Sequence, residues 1–104
     1  GVQVHTGGYG TSGSAVLGLT QHLTVANGRL VTAGWASAGL FSVLRDDATY
    51  DTSFPRSGDD GRATFGSGAS RDVYPVVSNG RGFAVTGPTT TATVEIYRLA
   101  GTIG

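Results

Sequence analysis

Apolar and polar positions alternate with a period of two over most of this chain, and this is the pattern of half-buried strands. In "GLFSVLR" (Gly39–Arg45), Phe41 and Val43 share one face while Leu40, Ser42 and Leu44 share the other. In "PTTTATVEIYRL" (88–99) the alternation starts at Ala92. It sends Ala92, Val94 and Ile96 one way and Thr93, Glu95 and Tyr97 the other. "LTVANGRLVTA" (Leu23–Ala33) is two such runs joined by Asn27-Gly28, and "VYPVVSNGRGFAVTG" (Val73–Gly87) repeats the device at Asn79-Gly80. Asn-Gly predicts a two-residue hairpin turn, because both residues tolerate the positive φ that a type I′ turn requires. "GRATF" (Gly61–Phe65) predicts a short strand after Asp60-Gly61, and Pro75 inside a strand predicts an edge or a bulge, since proline cannot donate to a ladder.

No stretch carries a capped helical face. "SAVLGL" (Ser14–Leu19) allows one helical turn, which Gly18 limits. The polar stretch Arg45–Gly61 reads as a loop with Tyr50 and Phe54 as core anchors. The expected fold is all-β: a single small antiparallel β-sandwich or barrel of about 7–8 strands over residues 15–104. Residues 1–14, with five glycines and no apolar periodicity, are expected to form a flexible Gly-rich arm that orders only on a neighbour.

An internal repeat is visible at an offset of a little over fifty residues. Asn27–Asp51 can be laid on Asn79–Gly104, with the Asn-Gly-Arg turns in step and Arg45 nearly over Arg98. Either a duplicated hairpin in a sandwich or two propeller blades would produce it. Two blades cannot close a ring alone.

Composition sharpens the picture. Gly is 18 of 104 residues against a usual ~7%, and charged residues are 13% against ~25%. With seven acids balancing seven bases the formal net charge is zero, which removes colloidal repulsion and suits a surface covered by a partner. All seven bases are Arg. A GC-rich coding sequence explains this, as does the low entropic cost of Arg–carboxylate pairing at interfaces. They do not cluster, so no nucleic-acid footprint is expected. Without Cys there is neither a disulfide framework nor a thiolate metal site. No apolar run approaches the ~18 residues of a membrane helix, and the opening "GVQVHTGGYG" has no signal-peptide pattern.

Candidate chemistry is sparse. His5 and His22 have no partner at metal-ligand spacing, and no G-x-S-x-G is present. Asp46, Asp47, Asp51, Asp59 and Asp60 could offer oxygens to a hard cation, but lack the D-x-D-x-D-G spacing and have Arg45, Arg56 and Arg62 as nearer partners. Glu95 is the only Glu, and its simplest partner is an Arg across the sheet or across a subunit boundary. No catalytic residue, cofactor or metal is assigned, and a non-enzymatic protein is expected. Trp35, between Gly34 and Ala36, reads as a core plug, a sugar-stacking platform or an interface anchor. Tyr9, Trp35, Thr93, Glu95 and Tyr97 are the candidate interface residues.

Several of these stretches resemble small β-sandwich proteins that decorate or stabilise tailed-phage heads. Those that carry the likeness are Val43-Leu44-Arg45, Asp46-Asp47, Tyr50, Phe83-Ala84-Val85-Thr86-Gly87 and Ala92-Thr93-Val94-Glu95-Ile96, over roughly residues 30–99. The resemblance implies a mechanical role on a virion or extracellular particle. The partners would be a capsid protein and the chain itself, as a homo-oligomer such as a trimer, with neither nucleic acid nor membrane. "FSVLRDDATYDTSF" is also similar to the short repeats of bacterial surface propellers, which implies a two-blade unit that oligomerises, within a broader alternative of a carbohydrate- or surface-binding β module.

Overall fold

The computed structural model describes residues 20–87 and 93–104. Among these residues seven strands run in chain order: β1 (Thr20–Ala26), β2 (Arg29–Trp35), β3 (Gly39–Arg45), β4 (Arg62–Phe65), β5 (Val73–Ser78), β6 (Arg81–Thr86) and β7 (Glu95–Arg98). They form two antiparallel meanders, β1-β2-β3-β4 and β5-β6-β7, packed as a small β-sandwich. The expected all-β class holds. The arm over 1–14, with Tyr9, and the turn over 14–19 lie outside the described residues.

Both hairpins form as their turn residues require. Asn27 and Gly28 have φ of 53° and 70°, and Asn79 and Gly80 have 51° and 72°, so all four central residues sit in the left-handed region of a type I′ turn. Pro75 lies on β5, which pairs with β6 alone in its sheet and so has no partner waiting for the missing N–H.

The turns lock the two halves into one register. In the first hairpin His22 faces Ala33, Thr24 faces Val31 and Ala26 faces Arg29. Fifty-two residues on, Tyr74 faces Val85, Val76 faces Phe83 and Ser78 faces Arg81. The third strand follows at an offset of 55: Ala33↔Phe41 becomes Val85↔Ile96, and Val31↔Val43 becomes Phe83↔Arg98. The near-coincidence of Arg45 with Arg98 is therefore not structural, because the longer connection before β7 makes Arg98 the counterpart of Val43.

The core is built from Val31, Ala33, Trp35, Phe41 and Val43 of the first sheet against Val73 and Ala84 of the second, with Phe54, Phe65, Leu99 and Ile103 closing its margins. Leu99 and Ile103 are held beside β6, their amides donating to the Gly82 and Gly80 carbonyls at 2.9 and 2.7 Å. Gly82 is required here: a Cβ on it would stand 2.8 Å from Phe41 Cζ. Of the two expected anchors, Phe54 is fully buried in the core. Tyr50 instead bridges Leu44 on the outer side of the sheet, with the Arg62 guanidinium 4.7 Å above its ring.

The Arg45–Gly61 loop turns on Asp51, which is 1% exposed. Its carboxylate accepts from Arg29 Nε at 2.8 Å and from the Ser53 hydroxyl and amide at 2.5 and 3.0 Å. Burial alone would raise its pKa. The Ser53 and Arg29 bonds outweigh burial and bring it down to about 2 from 3.8. Because the folded value lies below the unfolded one, the contribution is complete above pH 4 and fades as pH falls toward 2. We expect Asp51→Asn to lower unfolding free energy by roughly 2 kcal/mol at neutral pH. In urea titrations the gap between the two proteins should narrow from pH 5 to pH 2.

Candidate functional site

The alternation within each strand decides which side chains the sandwich leaves outside. In the first sheet the core-facing set is His22 and Thr24, Val31, Ala33 and Trp35, and Phe41 and Val43. At the offsets given above, their counterparts in the second sheet are Tyr74 and Val76, Phe83, Val85 and Gly87, and Ile96 and Arg98. These point away from the core, and Tyr74, Val76 and Ile96 are 49%, 43% and 64% exposed. The second sheet faces the core with its opposite parity: Val73, Pro75 and Val77, Gly82, Ala84 and Thr86, and Glu95, Tyr97 and Leu99. The two sheets thus pack front to back.

This arrangement leaves an apolar face on each outer side. One is Tyr74, Val76, Phe83, Val85 and Ile96, extended by the exposed Val94. The other is Leu23, Val25, Leu30, Leu40 and Leu44. On the second face Leu40 and Leu44 are buried, at 9% and 8%, although they lie outside the central core. Leu23 and Val25 are open, at 58% and 68%.

The orientation of β7 corrects the expectation from alternation alone. Val94 and Ile96 face outward, while Glu95 and Tyr97 face inward, half-buried. The reason is Arg71. Its guanidinium lies 4.8 Å over the Trp35 ring and donates to Glu95 Oε1 at 2.8 Å, and the Tyr97 hydroxyl donates to Glu95 Oε2 at 2.9 Å. Tyr97 also packs on Phe65, centroid to centroid 5.1 Å. An aromatic end wall with one half-buried guanidinium favours a carboxylate and a phenol, so the polar parity turns in. Accepting a hydrogen bond from the Tyr97 hydroxyl, Glu95 raises the Tyr97 pKa above its ordinary value.

Of the five candidate interface residues, Tyr9 lies outside the described residues. Trp35 is 0% exposed, with Nε1 donating to the Gly68 carbonyl at 3.2 Å, so it is the core plug rather than a platform or an anchor open to a partner. Thr93 is exposed. Glu95 and Tyr97 belong to the internal network with Trp35. The expectation that Glu95 pairs with an Arg holds within the chain, through Arg71.

The edges of the two sheets meet where β5 runs beside β1 and β2. There the Gln21 amide donates to the Arg71 carbonyl at 2.7 Å and accepts from the Val73 amide at 2.9 Å, which replaces a strand on the β5 edge. His22 stacks on Tyr74 with centroids 3.7 Å apart, and Asp72 Oδ1 accepts from His22 Nε2 at 2.7 Å. Hydrogen bonding to Asp72 raises the Tyr74 pKa. In the acidic loop, Asp59 pairs with Arg56 and Asp60 with Arg62. No group of three metal-ligating side chains occurs among the described residues.

Comparison with known proteins finds nothing similar: no family model, no curated protein and no solved structure matches the chain.

Sequence reasoning missed Arg71 and the outer face around Tyr74. Arg71 precedes its strand and acts on a residue 24 positions away, so no local pattern marks it. The outer face could have been found by carrying the parity of the first hairpin across the repeat. Glu95→Lys combined with Tyr97→Ser, a surface change by alternation alone, should instead leave Arg71 against a second cation beneath the sheet. The expected result is a loss of about 1–3 kcal/mol in chemical denaturation. Tyr97→Phe alone should cost roughly 1 kcal/mol.

Proposed function

We propose that this chain is a non-catalytic assembly module that binds other protein surfaces through its two outer sheet faces. The observation that carries the proposal is the grouping of exposed large apolar side chains. Leu23 and Val25 lie on one outer face, and Tyr74, Val76, Val94 and Ile96 on the other. Scattered exposed hydrophobics are ordinary, but contiguous ones on a strand ladder cost solubility unless something covers them. With a net charge of zero and few charged residues, little else keeps such faces apart.

Two settings use a module of this kind. On the surface of a phage head or similar particle it would stabilise the lattice by bridging subunits, each weak contact multiplied by avidity over many copies. In a propeller-like array it would stack against the next repeat. The shared register of the two meanders, together with their front-to-back packing, favours the second setting.

Light scattering coupled to size-exclusion chromatography tests the reading. The unaltered chain should run above the mass of a single chain, increasingly so at higher concentration. Leu23→Lys with Val25→Lys, or Tyr74→Lys with Ile96→Lys, should run as a folded monomer with an unchanged β-type circular-dichroism spectrum. A monomeric unaltered chain at all concentrations would remove the proposal.

A further inference from the structure

We infer that the partner of each outer face is a second copy of this two-sheet unit, docked head to tail. The outer face of β5-β6-β7 would receive the outer face of β1-β2 of the next copy. This inference rests on the assembly reading above and specifies its partner and polarity.

The two hairpins are equivalent residue by residue in register. Inside the chain, the face bearing Val31 and Ala33 is covered by the face bearing Val73, Pro75 and Val77. The outward face of the second sheet, where Phe83 and Val85 are half-buried, is the register counterpart of the first of these. It carries Phe83 and Val85 where the first sheet carries Val31 and Ala33. The open face of the first sheet is the counterpart of the second. It carries Leu23 and Val25 where the second sheet carries Pro75 and Val77. Each open face is therefore a backbone copy of one half of an interface the molecule already makes.

Side-chain size follows the same plan. Where Phe41 reaches over Gly82 inside the chain, Ile96 would lie over Leu30 between copies, so two mid-sized side chains replace a large one over none. Exposure agrees as well. The sheets approach most closely where β5 runs beside β1 and β2, and Pro75 and Val77, buried and half-buried there, have Leu23 and Val25 as counterparts, the most open residues of their face. Two different faces meeting make a heterologous contact, unlike the self-complementary patch of a two-fold dimer. Such contacts continue from copy to copy until the rotation closes a ring.

The chain has no cysteine, so single thiols report contacts cleanly. Leu23→Cys and Val85→Cys, the counterparts of Pro75 and Ala33, are prepared separately and treated with a short bis-maleimide at concentrations where light scattering shows association. Head-to-tail docking predicts efficient cross-linking only in the equimolar mixture, with each variant alone giving at least tenfold less dimer. Self-cross-linking of either variant alone, or no cross-linking in an associated mixture, overturns the head-to-tail contact and leaves the assembly reading in place. A chain that stays monomeric overturns both.

Discussion

Two consecutive meanders with the same hydrogen-bond register can share a core in two ways. Equivalent faces can meet each other, which makes a closed pair, or opposite faces can meet, which leaves one of each kind open. This molecule takes the second way. Because strand side chains alternate with a period of two, the choice made at one ladder position propagates to every other. Val31, Ala33 and Phe41 turn in, and their counterparts Phe83, Val85 and Ile96 must turn out. The burial pattern of both sheets and the two apolar outer surfaces follow from that parity.

Polar contacts stand at the margins of the front-to-back arrangement. At one end Arg71, Glu95 and Tyr97 form a half-buried network under Trp35. At another, Asp51 ties the long loop to Arg29 on β2. Along the seam the Gln21 amide occupies the hydrogen-bonding groups of the β5 edge. A buried charge is costly unless paired and hydrogen-bonded, and the buried Asp51 carboxylate is both. They also break the equivalence of the halves: the counterpart of Trp35 is Gly87, and that of Glu95 is Leu40. The internal interface thus carries polar pairs that have no equivalents on the two outward faces.

Much of the fold was legible in the chain itself. The hairpins at Asn27-Gly28 and Asn79-Gly80, the span and faces of Gly39–Arg45, the short strand ending at Phe65 and the edge position of Pro75 all follow from local chemistry. Turn residues and period-two alternation act over a few positions, so they can be read without the rest of the molecule. Tyr50 was less legible, because an aromatic in a polar loop looks the same whether it joins the core or packs on the outside of a sheet under an arginine.

The sequence by itself determined the strands, their turns and the shared register of the two hairpins, because backbone conformation at Asn-Gly and alternation within a strand are local properties. Only the tertiary structure decided which parity of each strand faces the core. In β7 both parities carry apolar side chains, so hydrophobicity alone balances them. The balance is tipped by Arg71, Trp35 and Phe65, distant in the chain, which supply a cation and aromatic rings that Glu95 and Tyr97 satisfy and that Val94 and Ile96 do not.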